Sequence, residues 1–293
     1  MTTTTMAFTP KGPFDLQNQN SYFNSWPATT DGRIVMAFPA EGTWEPALVT
    51  LRQTATDTLT LEMQTGVSSK DQVRRQALAA LSLDEDGTGW PEVGRRDPIM
   101  GRLQDQFRYV RPSLFHSPYE AAAAFIIGHR ISIAQGRRIR AALAEAIGTS
   151  FEVDGLKVSS FPSPQSLLDL REFKGLSEIK VSRLHGVAEA ARSGLLDRDS
   201  LRALDEREAL EQLRGIPGIG PFFAQGILHR GAGTVDALTA DRLTSEALQR
   251  AYSDGAPLSD HETETITGRW TPYRMWAVVQ LHLWYRQTIK GGD

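Results

Sequence analysis

The chain has 293 residues, which is enough for one large or two modest domains with a buried core. Hydrophobic residues make up 40% and charged residues 23%, as is usual for a globular protein. Because there is no cysteine, disulfides, thiolate catalysis and cysteine-ligated zinc or iron–sulfur sites are excluded. The net charge of -3 means that any binding to nucleic acid must depend on local features and not on overall charge.

The N-terminal residues do not have the pattern that we expect of a targeting signal. Its first ten residues, MTTTTMAFTP, have neither the basic start nor the apolar stretch of a signal peptide, so we expect a frayed tail. No apolar run in the chain approaches the roughly 20 residues that a membrane span needs. We therefore expect a cytoplasmic protein that does not bind membranes.

The first part of the chain has the period-two alternation of a sheet. Glycines separate three strand candidates, at 33–38, 47–52 and 58–63. They predict a small antiparallel sheet, and a helix over 70–82 with Ser69 as its N-cap should follow.

A segment rich in glycine, proline and charge, 84–98, comes next. It predicts a domain boundary, although an ordinary surface loop would have the same composition. We predict an N-terminal α+β sheet domain at 1–88 and a second domain at 95–293.

After this segment the pattern becomes helical. Ser117 and Pro118 are typical of a helix start, and the apolar stretch ends near Gly128. The dipeptide Asp154-Gly155 predicts a tight hairpin between short strands at 151–153 and 156–158. Further helices are predicted near 163–170, 178–192, 206–214, 221–230, 242–251, 260–268 and 272–289. The fold class is therefore α+β: a small N-terminal antiparallel β-sheet domain with a helix, followed by a larger all-α domain.

The most informative segment is LEQLRGIPGIGPFFA, residues 210–224. Its glycines, Gly218 and Gly220, would leave no Cβ between backbone N–H groups and an anion, and Pro221 suits the first position of a helix. A plain corner between two helices would also use glycine and proline. The whole pattern resembles the hairpin of the helix-hairpin-helix DNA glycosylase superfamily, which implies that Gly218, Gly220 and Phe223 bind DNA phosphate.

Two acidic residues follow the hairpin, Asp236 and Asp241. Asp241 precedes a helical pattern, and a helix N-terminus favours an ionised carboxylate. Position alone favours a simple N-cap. The superfamily places its essential aspartate shortly after the hairpin, and Asp241 lies 21 residues after Gly220, so the resemblance implies a catalytic role. Asp236 is expected to end a turn.

The resemblance extends from about residue 97 to the end of the chain. The segments DPIMGRL at 97–103, IIGHRIS at 126–132, and RWTPYRMWA through LHLWY at 269–285 are similar to bacterial 3-methyladenine DNA glycosylase II, the AlkA family. This implies excision of 3-methyladenine- and 7-methylguanine-type bases from damaged double-stranded DNA by base flipping. It also implies a monomeric, nucleoid-associated enzyme of base excision repair that requires no cofactor.

Bifunctional relatives carry a Schiff-base lysine two residues after the last hairpin glycine. Here that position is Phe222, and no lysine lies between Lys180 and Lys290. We therefore expect a monofunctional glycosylase without lyase activity.

The family also implies the remaining site residues. Trp284 and Phe222 would stack near the flipped base, with Gly226 at the position of a pocket tyrosine. The hairpin would bind a monovalent cation, Na⁺ or K⁺, through the main-chain carbonyls of Arg214, Ile216 and Ile219. The residue pattern alone favours stacking on the base and packing in the core equally for Trp284. Core packing is expected for Trp270 and Trp276.

The residue pair His129-Arg130 stands where the family has its intercalating wedge. Arg130 could fill the gap in the base stack with its planar guanidinium, or it could contact phosphate at the surface. Both readings remain open.

Three positions depart from the family: Phe223 replaces a hydroxyl residue, Gly226 a tyrosine and Ala247 an arginine. A pocket that is larger or opens differently, and with it a different substrate range, would follow. The departures also motivate two alternatives, a non-catalytic protein that binds DNA damage and, more weakly, a purely structural helical domain.

Overall fold

The computed structural model describes residues 2–23, 25–55, 57–66, 69–238 and 241–290. The first part of the chain forms one antiparallel sheet with two helices. The sheet order is β1-β4-β3-β2. The elements of this part are β1 Thr2–Phe8, α1 Leu16–Phe23, β2 Ile34–Pro39, β3 Pro46–Ala55, β4 Thr58–Thr65 and α2 Lys70–Ala80.

The three predicted strands are confirmed as β2, β3 and β4. The alternation in β4 has the expected cause, because Leu59, Leu61 and Met63 are fully buried while the residues between them are partly exposed. These side chains pack with α2 in a core that includes Val73 and Ala77.

The expectation of a frayed tail is wrong. Residues 2–8 form β1, which pairs with β4 from Thr2 opposite Thr65 to Phe8 opposite Leu59. Threonine suits a pleated strand, and β1 covers the edge of β4 that would otherwise be unpaired. Phe8 adds contact with the core beneath.

The predicted cap of α2 is also different from the expectation. Ser69 precedes the helix, but its side chain makes no capping hydrogen bond. Its Oγ instead donates to Glu45 Oε2 at 2.7 Å and contacts Thr43 Oγ1 at 2.7 Å. The hydroxyl therefore links the helix start to the loop before β3.

In its described residues, the larger second part is helical apart from one short hairpin. The predicted hairpin at Asp154-Gly155 is confirmed, with both residues at positive φ. The predicted helix start is confirmed too, since Ser117 Oγ accepts from Glu120 N at 3.0 Å.

The helices α3 to α8 and the hairpin between them are α3 Trp90–Arg96, α4 Pro98–Phe107, α5 Pro118–Gly128, α6 Ile133–Ile147, β5 Ser150–Val153, β6 Leu156–Ser159, α7 Pro164–Leu168 and α8 Glu178–Arg192. The remaining elements are α9 Arg198–Ala203, α10 Glu206–Arg214, α11 Pro221–Ile227, a π-helix Leu228–Ala232, α12 Arg242–Tyr252, α13 Asp260–Gly268 and α14 Arg274–Lys290.

The segment predicted as a boundary contains helix α3. Its Trp90 is fully buried, with its ring 5.7 Å from that of Trp276. Trp270 and Trp276 lie in the same core, as expected. The division at residues 88 and 95 stays a prediction. Among the described residues, no helix has the length and apolar character needed to cross a membrane.

Candidate nucleic-acid interface and carboxylate site

The predicted hairpin lies between α10 and α11. Leu213, Ile216 and Ile219 are buried and anchor the turn in the helical core. Ile219 N donates to Ile216 O at 3.0 Å, which closes the turn tightly. The turn itself, from Pro217 to Gly220, has exposed residues on either side of the buried Ile219.

The two hairpin glycines have different surroundings. Gly218 has φ +87°, and a Cβ there would lie 2.5 Å from Arg183 Cδ in α8. Gly220 has ordinary φ, and a Cβ there would meet nothing within 4 Å among the described residues. Packing within the protein therefore explains Gly218 but not Gly220, whose open side faces solvent.

Arg183 is a residue that the sequence analysis missed. Its aliphatic stem lies against the hairpin at Gly218, and its side chain is partly buried. In the described part of the chain its guanidinium has no carboxylate partner and no hydrogen bond. An unpaired positive charge therefore lies beside the backbone of the turn.

Asp241 begins α12 as its N-cap. Its Oδ1 accepts from Thr244 N at 2.7 Å, and its backbone is extended with φ -116°. The side chain is partly exposed. Oδ2 has no hydrogen-bond partner among the described residues. The capping bond fixes the carboxylate at the partly exposed start of α12.

Helix α14 supports this cap through His282. Its Nε2 lies 3.0 Å from the hydroxyl of the buried Thr244. Burial lowers the pKa of His282 to about 4, a shift that the negative charge of Asp241 opposes and the positive charge of Arg286 favours. A neutral imidazole therefore ties α14 to the first turn of α12.

The other acidic candidate, Asp236, is engaged elsewhere. Its Oδ1 accepts from Arg274 Nε at 2.7 Å, and its Oδ2 accepts from Arg274 Nη2 at 3.1 Å. This two-pronged ion pair joins the loop after the π-helix to the start of α14. Asp236 therefore has a structural partner that Asp241 lacks.

Aromatic side chains surround the start of α11. Phe222 is 61% exposed, which is unusual for a large apolar residue. Its ring centroid lies 6.5 Å from Phe125 of α5 and 6.2 Å from Phe223. Among the described residues Phe222 makes no ring contact with Trp284, which is partly buried against the core of α3, α4 and α14.

Phe125 of α5 packs against Gly226. A Cβ at Gly226 would lie 2.2 Å from Cζ of Phe125. The ring of Phe125 therefore occupies the space that a side chain at 226 would need. The sequence analysis missed Phe125, because residues 125 and 226 are distant in sequence.

The turn His129-Arg130 lies beside this aromatic group. The ring of His129 is 5.6 Å from that of Phe223, in an edge-on arrangement. Arg130 is exposed, has φ +56°, and has no ion pair within the described ranges. The structure thus brings the proposed wedge next to the hairpin helix.

For the proposed cation site, Arg214 ends α10, Ile216 precedes the turn and Ile219 lies within it. Ile216 O already accepts from Ile219 N. No side-chain cluster suited to a metal ion exists within the described ranges, so any cation here would depend on backbone oxygens.

No protein-family model matches the chain. Over 158 residues it is 29% identical to the DNA-3-methyladenine glycosylase of Bacillus subtilis (strain 168), an alignment that covers 51% of each protein. The match thus spans about half the length of that relative.

Among solved structures, the 3-methyladenine DNA-glycosylase from Archaeoglobus fulgidus matches with a TM-score of 0.78 and 21% identity, covering 96% of this chain and 98% of that one. A Clostridium acetobutylicum 8-oxoguanine glycosylase/lyase, bound to double-stranded DNA with cytosine opposite 8-oxoguanine, matches with a TM-score of 0.65 and 16% identity over 98% of both chains. The predicted resemblance is confirmed: the chain has the α+β fold of these DNA glycosylases across both of its parts.

Proposed function

We propose that this protein is a monofunctional DNA glycosylase that hydrolyses the N-glycosidic bond of alkylated purines in duplex DNA. The observation that carries the proposal is Asp241, a partly exposed carboxylate whose Oδ1 caps α12 and whose Oδ2 has no hydrogen-bond partner among the described residues. It follows a hairpin whose Gly220 faces open space. The similarity to a protein named DNA-3-methyladenine glycosylase supports the choice of substrate.

The hairpin binds the DNA backbone in this proposal. Backbone N–H groups of the turn around Gly218 and Gly220 donate to a phosphate that approaches their open side. Arg183 lies against the turn and supplies a positive charge to the same phosphate. A Na⁺ or K⁺ ion held by the hairpin carbonyls would add to this charge. These local features allow a protein with net charge -3 to bind a polyanion.

The chemistry needs a fixed anion near the sugar. When the bond between C1′ and the base nitrogen breaks, its electron pair goes to the base and positive charge develops on the sugar. The carboxylate of Asp241 stabilises that charge, orients the water that adds to C1′, and accepts the proton that this water loses. An alkylated purine carries a positive charge and leaves as a neutral base, so no strong general acid is required.

Aromatic faces accept the flipped base. The exposed ring of Phe222 and the ring of Trp284 offer electron-rich surfaces, and attraction to a cationic purine contributes about 0.5–2 kcal/mol. Phe125 replaces the missing side chain at Gly226 as part of this surface. Arg130, exposed at the adjacent turn, fills the gap that the flipped nucleotide leaves in the stack.

The absence of lyase chemistry depends on Phe222 and on Lys180. Phe222 stands where a Schiff-base lysine would be needed. The Nζ of Lys180 donates to Ile127 O at 2.7 Å. No lysine lies between Lys180 and Lys290, so the sequence of α11 and the helices after it offers no lysine for an imine before Lys290.

The test is a set of duplexes that each carry one lesion: 3-methyladenine, 7-methylguanine, hypoxanthine, ethenoadenine or 8-oxoguanine. We expect release of the cationic alkylated bases, intact abasic strands, and no covalent complex after borohydride reduction. A trapped imine would refute the monofunctional assignment. Tight binding to abasic DNA without release of any base would establish a non-catalytic damage-binding protein instead.

A further inference from the structure

Arg230 of the π-helix lies within electrostatic range of three other arginines, and we call the four residues the arginine surface: Arg137 and Arg140 of α6, Arg230, and Arg286 of α14. Two of them share one aromatic ring. The guanidinium carbons of Arg140 and Arg230 lie 5.0 Å and 5.3 Å from the ring centroid of Phe115. Phe115 thus brings together side chains from α6 and the π-helix.

The charge of this surface is poorly balanced within the protein. Arg140 pairs with Glu120 at 3.0 Å, and Glu120 is shared with His116. Arg137, Arg230 and Arg286 have no ion pair within residues 2–23, 25–55, 57–66, 69–238 and 241–290, and all three are exposed.

Arg230 is exposed as a residue, but its guanidinium lies over the Phe115 ring and is shielded there from water. This loss of hydration lowers the pKa of Arg230 most, and the positive charges of Arg140, Arg286 and Arg137 lower it further. Like charges held this close repel one another unless an anion lies between them. The arrangement therefore favours an external anion.

The arginine surface adjoins the carboxylate site. Arg286 follows His282 by one helical turn on α14, and both Arg286 and Asp241 act on the charge of His282. Arg230 lies on the π-helix Leu228–Ala232, which directly continues the hairpin helix that begins at Pro221. A strand that contacts the hairpin and places a sugar at Asp241 would have further phosphates within reach of these guanidiniums.

We infer that the arginine surface is a second phosphate-binding site, which holds backbone phosphates of the DNA strand beside the reacting nucleotide. This inference depends on the proposed function. Guanidiniums bind phosphate oxygens in pairs and keep their charge at any physiological pH, which suits such a role. These arginines lie outside the hairpin turn, on α6, on α14 and on the π-helix that continues α11.

The experiment measures binding to a duplex with a stable abasic-site analogue as a function of KCl concentration. The variants are Arg137→Gln, Arg230→Gln and Arg286→Gln, and the matched control is Arg102→Gln, an exposed arginine of α4 without an ion pair among the described residues. We expect each variant to bind about tenfold more weakly at low salt, with a log–log salt slope shallower by about 0.9. The control should match the wild type, and thermal unfolding should show all four variants folded.

A second arm locates the phosphate. Neutral methylphosphonates replace single phosphates, one at a time, on either side of the lesion. At the position where this replacement weakens DNA binding by the wild type most, it should not weaken binding by Arg230→Gln any further. If the losses of binding free energy from Arg230→Gln and from the methylphosphonate add at every position, the inference is overturned. Displacement of DNA from the wild type, but not from Arg230→Gln, by millimolar inorganic phosphate at constant ionic strength would show a site for small anions and would also overturn it. Normal base release with variants that bind like the control would refute this site alone, whereas a wild type that binds no DNA would refute the proposed function.

Discussion

The contact between Gly226 and Phe125 predicts that any side chain at residue 226 lowers the free energy of unfolding. In Gly226→Ala the new methyl would lie 2.2 Å from Cζ, 2.7 Å from Cε2 and 2.9 Å from Cε1 of Phe125. These are side-chain atoms of a packed ring, so Phe125 must leave its rotamer or the two helices must separate. Overpacking of this kind costs about 1–3 kcal/mol in the free energy of unfolding.

The assay is a double-mutant cycle by urea unfolding. Phe125→Ala removes the ring, and Gly226→Ala should then cost almost nothing or stabilise slightly, because alanine favours helix over glycine by about 1 kcal/mol. We expect a coupling energy of about 1–3 kcal/mol between the two positions. An equal cost of Gly226→Ala in both backgrounds would refute the packing of Phe125 over residue 226.

Three further predictions concern the hairpin and two buried groups. Gly218→Ala should destabilise by about 1–3 kcal/mol, since a φ of +87° strains alanine, and Arg183→Ala should recover only part of this because the strain remains. Burial lowers the pKa of His282 from 6.5 to about 4, so its contribution to stability is present above pH 6.5 and disappears as the pH falls through 4. The contribution is about 3 kcal/mol, and a pH series of melting temperatures should be flatter in His282→Asn. Burial raises the pKa of Glu41 from 4.5 to about 7, against the opposing charge of Arg198, so stability is present below pH 4.5 and disappears as the pH rises through 7. Glu41→Gln should remove this loss, and an identical alkaline decline in wild type and variant would contradict it.

The features that could be predicted from sequence are those with local causes. Alternating apolar residues and glycines were sufficient for β2 to β4, and glycine and proline spacing located the hairpin at Gly218 and Gly220. Helix α4 had a readable signal too, because Asp97 caps Ile99 N and Met100 N and Pro98 follows it. That segment was noted only as a family motif, so the helix was missed.

Other features depend on tertiary packing. The threonines of β1 show no alternation, and they form a strand because β4 offers an unpaired edge. The proximity of Phe125 to Gly226, and of Arg183 to Gly218, follows from how α5 and α8 pack on the hairpin. No sequence spacing encodes these contacts. Conversely, the N-cap geometry of Asp241 was expected from local pattern, while its role in catalysis remains a proposal supported by the resemblance.

Single-turnover excision of 7-methylguanine from a defined duplex tests the catalytic role of Asp241 most directly. Removal of an electrostatic stabiliser of the transition state costs about 100-fold or more in rate. Asp241→Asn keeps an N-cap, since asparagine also accepts from Thr244 N, and it should bind abasic-analogue DNA as the wild type does. We predict a loss of at least about 100-fold in the excision rate for Asp241→Asn, with Asp236→Asn close to the wild type once folding is corrected for. Equal excision rates in Asp241→Asn and the wild type would contradict a catalytic role for Asp241.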